Sequence, residues 1–318
     1  MTRPHFIPGT TVKLTVKNRS GKKRLAAYLA SRLGVVEPWA DDLIRGGHVR
    51  LDDLPANSDD LINLSAGPHL LEVYFPHNWP KHMAATEMAL DVLYEDEHLV
   101  VLNKPAGMVV HPARGHLDNQ TLQNGMRHRY RSLLHRPETT IGSPHRLDKD
   151  TSGAIVFALT RVVYVDLVDQ FAAGSPHKEY LAVLDGTPDF ASISCRSPIG
   201  PDPERKGLGI VVTEREAGKT ARTDFRILHR GVGWALAAAI PHTGRPHQIR
   251  IHAASLGVPL AGDRDYNRHW EHLDFPRQAL HAAALAFRHP VTREAVRVEA
   301  PLPADLYRAI ERLRDDAP

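Results

Sequence analysis

The stretch His145-Arg146-Leu147-Asp148-Lys149-Asp150-Thr151-Ser152-Gly153 runs directly into Ala154-Ile155-Val156-Phe157-Ala158-Leu159. A charged loop followed without a break by apolar residues reads as a loop feeding a strand. Gly153 permits close backbone approach at the junction. Asp148 lies between cations in that loop, and taken alone such a carboxylate fits a structural ion pair or a loop cap. Its meaning depends on the rest of the chain.

Taken in order, residues 1 to about 12 read as a loose tail. From Gly21 the spacing of Leu25, Leu29 and Leu33 predicts a helix that leaves Lys22, Lys23, Arg24 and Arg32 to solvent. A second short helix fits residues 39–45 and stops at Gly46-Gly47. Strands are expected at 48–51 and 70–75, with a turn at Asp52-Asp53 between them. Residues 76–89 contain two prolines and no clear period, which marks a linker. Beyond it come an apolar run at 90–94, a strand at 99–102, a turn at 103–107 and an extended run at 108–112. Strand, turn and strand ending on Pro112 suit an antiparallel sheet better than a βαβ unit.

Residues 128–144 are rich in His, Arg and Pro and read as a surface loop beside the central motif. Tyr164, Leu167, Val168 and Phe171 then share one helical face that ends at Gly174. Strands are expected at 178–186, 223–228 and 234–240, a polar loop at 200–218, and a short helix at 252–256. A closing helix at 303–314 has Leu306, Ile310 and Leu313 on one face. The expected boundaries are a small domain at 13–75, the linker at 76–89 and a large domain at 90–318, the whole an α+β chain.

Composition narrows the function classes. With 42% hydrophobic and 24% charged residues the chain has the makeup of a folded globular protein. A pI near 9.0 and 20 His suit a polyanionic partner. Cys195 is the only cysteine, so no internal disulfide can form. No apolar run approaches the ~20 residues of a membrane span, and no signal-peptide pattern opens the chain. The expectation is a cytoplasmic protein that avoids membranes.

Several tempting motifs fail on spacing. Gly218-Lys219-Thr220 resembles the end of a phosphate loop, but Thr213 stands where that loop needs Gly. Gly207-Leu208-Gly209 lacks the third glycine of a dinucleotide fingerprint. His242, His247 and His252 are spaced five apart, which suits neither a zinc helix nor a zinc finger. The expectation is no metal and no cofactor.

Three stretches survive together. His145-Arg146-Leu147-Asp148 with Thr151-Ser152-Gly153, then Lys178-Glu179-Tyr180, then Thr243-Gly244-Arg245-Pro246-His247-Gln248-Ile249-Arg250-Ile251-His252 resemble the active-site motifs of RluA-type pseudouridine synthases, in family order. Pro246 stands where Thr is common. Asn103-Lys104-Pro105-Ala106-Gly107, Gly257-Val258-Pro259-Leu260-Ala261-Gly262-Asp263, Leu280-His281-Ala282 and Phe287-Arg288-His289-Pro290 are also similar to that family, and the likeness covers roughly residues 90 to 305. Residues 13–75, with two small helices, short strands and basic residues, resemble an S4 RNA-binding domain, although Asp52-Asp53-Leu54-Pro55 replaces the usual Asn-Gly turn. The same pattern also fits a small α+β cap with solvated charges. Together the two likenesses point to the ribosomal-RNA branch of the family, the RluC/RluD type.

The resemblance implies a mixed, mainly antiparallel sheet with a central cleft, and isomerisation of uridine in structured RNA to pseudouridine. It implies that Asp148 attacks the nucleoside or removes a sugar proton, and that Arg250 supplies the pairing charge. An unpaired buried carboxylate would instead take up a proton. It further implies that Tyr180 stacks on the uracil and that Arg146 fills the space the uridine leaves. His145, Leu147, Lys178, Arg245, His247 and Gln248 would line the substrate, and Lys22, Lys23, Arg24, Arg45 and Arg50 would contact phosphates. The implied partner is ribosomal RNA or a pre-ribosomal particle, met by a monomer. Transfer RNA is the alternative substrate, and a non-catalytic ribosome-assembly factor the alternative class. A glycoside hydrolase fits less well, since one matching carboxylate stands where two are usual.

Phosphate contacts release counterions, so affinity for RNA is expected to fall steeply between low and high salt. A binding titration that gives the same affinity at both would contradict the basic-face reading.

Overall fold

The structure, a computed structural model, describes residues 10–16, 21–33, 37–57, 59–65, 68–75, 85–111, 120–134, 136, 138–205, 207–212 and 218–315. The chain forms two compact units, one running up to Met88 and including His111–Pro137, the other joining Ala89–Val110 to Glu138–Pro318.

The first unit holds β1 (Thr10–Val16), β2 (Lys22–Arg24), α1 (Leu25–Leu33), α2 (Glu37–Arg45), β3 (Val49–Leu51), β4 (Leu54–Pro55), β5 (Leu61–Asn63), β6 (His69–Phe75) and α3 (Leu122–Arg129). A four-stranded antiparallel sheet runs β1-β6-β3-β4, and β2 pairs with β5. Leu25, Leu29 and Leu33 are buried at helical spacing on α1, and they pack with Val16, Leu71 and Val73 in one core. The tail expectation is corrected from Thr10 onward, where Val12, Leu14 and Val16 alternate with polar residues and β1 pairs along β6. The helix expected from Gly21 starts at Leu25, because Lys22–Arg24 form a fully exposed strand. Of the expected linker, residues 76–84 lie outside the described chain, as does the Trp39 side chain.

The second unit holds β7 (Val92–Glu95), β8 (Leu99–Lys104), β9 (Thr139–Gly142), β10 (Ser152–Thr160), α4 (Arg161–Ala173), β11 (His177–Asp185), β12 (Ser192–Cys195), β13 (Ile199–Pro201), β14 (Gly209–Val211), β15 (Thr223–Gly231), β16 (Trp234–Pro241), α5 (Gln248–Ser255), β17 (Leu280–Arg288), β18 (Ala295–Glu299) and α6 (Ala304–Asp315). Its large sheet runs β12-β15-β16-β11-β17-β10-β8-β7, with β18 also on β17 and β9 also on β10. Every pairing is antiparallel except β10 with β17, so the sheet is mixed and mainly antiparallel. The apolar run after the charged loop becomes β10, and all of Ser152 to Leu159 is buried. Such a continuous run suits a strand covered on both faces. Val163 and Leu167 of α4 pack over Ala154, Val156 and Ala158. On another part of the sheet, Ile249 and Ala253 of α5 cover Ala182, Leu184 and Ala237. Leu306 and Ile310 of α6 pack with Val183.

The sheet forks at the start of β17. Ser152 and Gly153 pair with His281 and Ala282, and from Ala284 onward β18 takes over as the neighbour of β17. Gly153 has φ of +115°, and a Cβ there would lie 2.2 Å from the Ala282 carbonyl oxygen. The close approach expected at the loop–strand junction is therefore present.

Other expectations need correction. Residues 128–144 are more than a loop, since they contain the end of α3, a 3₁₀ turn at Arg131–Leu133 and β9. The α3 signal was a capping box, in which Thr121 and Asn124 bond each other's backbone N–H. Gly125 and the His/Arg-rich end obscured it. Residues 108–111 lie in no strand, and Pro112 is outside the described chain. The polar loop at 200–218 carries the β13–β14 pair. The helix expected at 252–256 starts at Gln248, because its N-cap, His247, makes no side-chain cap bond that would announce a start. Among the described residues no helix is long and apolar enough to cross a membrane.

Replacing Gly153 with Ala must push β10 away from β17. The expected loss is about 3 kcal/mol or more, read as a lower urea midpoint at unchanged slope.

Candidate active site

The loop before β10 is fastened by buried polar groups. The Lys104 ammonium, fully buried at the end of β8, donates to the carbonyls of Pro105 (2.8 Å), Met108 (2.7 Å) and Lys149 (2.8 Å). Burial pushes its pKa down to about 7, with Asp150 and Asp148 pulling upward and Arg277 downward. Arg277 donates to the Asp150 carbonyl at 2.9 Å and to Ser152 Oγ at 3.2 Å, and it pairs with Asp305 of α6 at 2.8 Å. Ser152 Oγ also meets His281 Nδ1 at 3.0 Å. Asp148 is thus presented by a loop tied to three separate parts of the fold.

Facing it is the first turn of α5. Arg250 is 5% exposed and Asp263 is fully buried. The guanidinium gives Nε and Nη2 to the two oxygens of Asp263, at 2.8 and 2.6 Å, and Nη2 also to Asp265 Oδ2 at 2.6 Å. The remaining nitrogen, Nη1, stands 3.6 Å from Asp148 Oδ2. Burial alone would disfavour the Arg250 charge, but Asp263, Asp148 and Asp265 together raise its pKa. His247 Nε2 lies 3.9 Å from the other Asp148 oxygen.

Tyr180 completes the group. It stands on β11 opposite Ala239 of β16 and Ala282 of β17, and Ala282 in turn pairs with Gly153. Directly opposed residues share a sheet face, so methyl groups flank the ring on both sides. Burial, and then the Asp148 carboxylate, raise the Tyr180 pKa, which keeps the phenol protonated.

The other expected site residues divide by exposure. Arg146 is exposed and bonds to nothing among the described residues. Lys178 is half-buried, without an ion pair or hydrogen bond among the described residues, and burial lowers its pKa. Leu147 is buried. His145 stacks on Phe171 at 4.4 Å between centroids and accepts from Val156 N at 3.2 Å. Gln248 donates to the Arg222 carbonyl (2.9 Å) and Thr223 Oγ1 (3.0 Å), and accepts from Thr243 Oγ1 (2.6 Å) and Arg245 N (3.1 Å). Arg245 Nε donates to the Thr220 carbonyl at 2.9 Å. In the first unit Lys22, Lys23, Arg24, Arg45 and Arg50 are all exposed; Arg24 pairs with Glu37, Arg45 with Asp41, and Arg50 donates to the Asp53 carbonyl.

Sequence reading passed over Lys104, Arg277, Asp265 and Tyr266 as site residues. Asp263 and His281 were visible only as parts of quoted stretches. A lysine and an arginine embedded in apolar text were the available signal, since such cations are almost never fully buried unless paired.

Residues 98–255 match the family model for RNA pseudouridylate synthase. The chain is 35% identical over 316 residues to the protein named Uncharacterized RNA pseudouridine synthase YlyB of Bacillus subtilis (strain 168), covering 95% of this chain and 98% of that one. It is 37% identical over 286 residues to Ribosomal large subunit pseudouridine synthase D of Xanthomonas campestris pv. campestris, covering 86% of this chain and 83% of that one. The solved structure of Human RNA Pseudouridylate Synthase Domain Containing 4 shares the fold, with a TM-score of 0.58, 24% identity, and coverage of 70% of this chain and 93% of that one.

Lys104→Met leaves three carbonyls without their donor. Unfolding in urea is expected to show a loss of about 2–4 kcal/mol, and a loss within the error of the assay would mean that the ammonium does not hold the loop.

Proposed function

The chain belongs to the RNA pseudouridylate synthase family and isomerises uridine in RNA to pseudouridine; from that premise we propose that it acts on large-subunit ribosomal RNA through Asp148, Arg250 and Tyr180. The observation carrying this reading is the 3.6 Å approach of Arg250 to Asp148, with every other bonded guanidinium nitrogen held by a carboxylate.

The reaction breaks the N1–C1′ bond, turns the uracil and forms a C5–C1′ bond; C5 then gives up its proton and N1 takes one up, so the atoms balance. Asp148 either attacks the nucleoside or takes a sugar proton, with the Arg250 charge facing it in both cases. Tyr180 lies against the freed ring, and its hydroxyl can relay the C5 proton, accepting it as it gives up its own. Small neighbours on the sheet, Ala239 and Ala282, leave room for a flat base above the strands. The exposed, unpartnered Arg146 suits insertion into the stack the uridine leaves, and the Lys178 ammonium suits an RNA phosphate. His247 stands beside Asp148 itself, whereas Leu147, His145, Arg245 and Gln248 support the surroundings of the site.

The first unit acts as an S4-like domain that places the enzyme on structured RNA through Lys22, Lys23, Arg24, Arg45 and Arg50. Ribosomal RNA as substrate rests on the named large-subunit relatives of similar length. The proposed steps use only the protein's own acid, base and cationic groups, and no metal or cofactor is assigned to them. The enzyme works as a monomer in the cytoplasm.

Pseudouridine mapping of ribosomal and transfer RNA tests this, using cells without the protein and cells given back wild type or Asp148→Ala. Large-subunit sites are expected to vanish, to return with wild type and to stay absent with Asp148→Ala. Loss confined to transfer RNA would redirect the substrate. Restoration by Asp148→Ala would refute the catalytic role of Asp148.

A further inference from the structure

His247 occupies an unusual place. It is the N-cap of α5 with φ 54° and ψ 18°, a left-handed conformation, and its side chain caps nothing. Residues held in such conformations cluster at functional sites, where the surrounding structure fixes them. The ring of His247 is turned toward Tyr266, with Nδ1 3.0 Å from the hydroxyl and the two rings edge-on at 81°. Tyr266 is itself fixed. Its hydroxyl oxygen accepts from Gly209 N of β14 at 3.3 Å, and the Arg250 guanidinium lies over its ring at 5.0 Å.

We propose that Tyr266 and His247 form a positioning pair that presents a neutral imidazole Nε2–H to the Asp148 carboxylate, as a second donor beside Arg250. A tyrosine hydroxyl has one proton and accepts through its lone pairs. Gly209 N–H takes one lone pair of the oxygen, and in the proposed pair the hydroxyl proton goes to His247 Nδ1. The imidazole proton is then on Nε2, which faces Asp148 Oδ1 at 3.9 Å, and an ionised carboxylate can only accept. Asp148 Oδ2 already faces Arg250. At 3.6 and 3.9 Å the two donors stand just beyond hydrogen-bond reach, and in the proposal they close on the carboxylate when substrate fills the site, one donor to each oxygen, and so hold it against rotation.

The charged groups around His247 agree with a neutral ring. Burial is the largest influence and disfavours the imidazolium, and Arg250 adds to it. Asp148, Asp265 and Asp263 oppose, and the balance leaves the His247 pKa lowered. Both Asp263 and Asp265 are bound to Arg250, so their charge is largely answered already.

The proposal rests on the reading that Asp148 reacts, and its test separates the two. The tautomer of His247 is read by ¹⁵N-histidine NMR on the full chain without RNA, with the signal assigned by its loss in His247→Gln. Wild type is expected to show the Nε2–H tautomer, and Tyr266→Phe a mixture of both. With a ribosomal RNA fragment, Tyr266→Phe is expected to lower kcat about tenfold to a hundredfold at little-changed KM. His247→Gln, which returns an amide N–H near the Nε2 position, should exceed His247→Ala in kcat by about tenfold. An Nδ1–H imidazole in the wild type overturns the pair, and so does a Tyr266→Phe kcat equal to that of wild type. A wild type inactive on every RNA would count against the catalytic reading instead, leaving the tautomer to decide the pairing.

Discussion

A guanidinium buried beside a buried carboxylate is the constraint on which the second unit depends. Removing two charges from water is costly unless their geometry is good and the leftover hydrogen-bonding groups find partners. Arg250 and Asp263 meet that condition with two bonds, and Asp265 takes a third. A planar fork so held cannot swing. Its remaining nitrogen therefore points one way, toward Asp148. The first turn of α5 and the segment after Leu260 are locked together by this pair before any substrate arrives.

The Asp148 loop is brought to that cation by the opposite kind of constraint, backbone contact without side chains. Gly153 lets β10 touch β17 where any Cβ would collide with Ala282. The contact places the loop two strands from Tyr180, through Ala282. Lys104 and Arg277 then hold the loop's carbonyls from below. Buried cations that bond backbone oxygens let a polar loop sit in the interior without orphaned acceptors.

The motif residues consequently divide into two kinds of work. His145 and Gln248 lie in the most recognisable stretches, yet their polar atoms bond the protein's own backbone and side chains. Asp148, Arg146 and Lys178 have no side-chain hydrogen bond among the described residues, though Asp148 faces Arg250 and His247. In this chain the motif stretches thus contribute internal hydrogen bonds as well as groups left outside them.

Much of this was legible in the sequence. Period-four leucines marked α1, the Tyr164-to-Phe171 face with Gly174 marked α4, and apolar runs marked β8, β10 and β16. These signals are local, because amphipathic periodicity and a left-handed glycine stop are written within a dozen residues. Asp148, Tyr180 and Arg250 were legible through their motifs, and the structure brings Asp148 and Arg250 face to face. What the sequence left open is what depends on residues far apart in the chain. The parallel contact of β10 with β17 joins residues 129 apart, from Ser152 to His281. Tyr266 and Asp265 belong to no motif read from the sequence, and folding alone sets them against His247 and Arg250. Lys104 looked like a turn lysine until it was buried under three carbonyls. Local pattern decides which segments are helix or strand; only burial and long-range pairing decide which polar groups must find one another, because the cost of leaving them alone exists only in the folded interior.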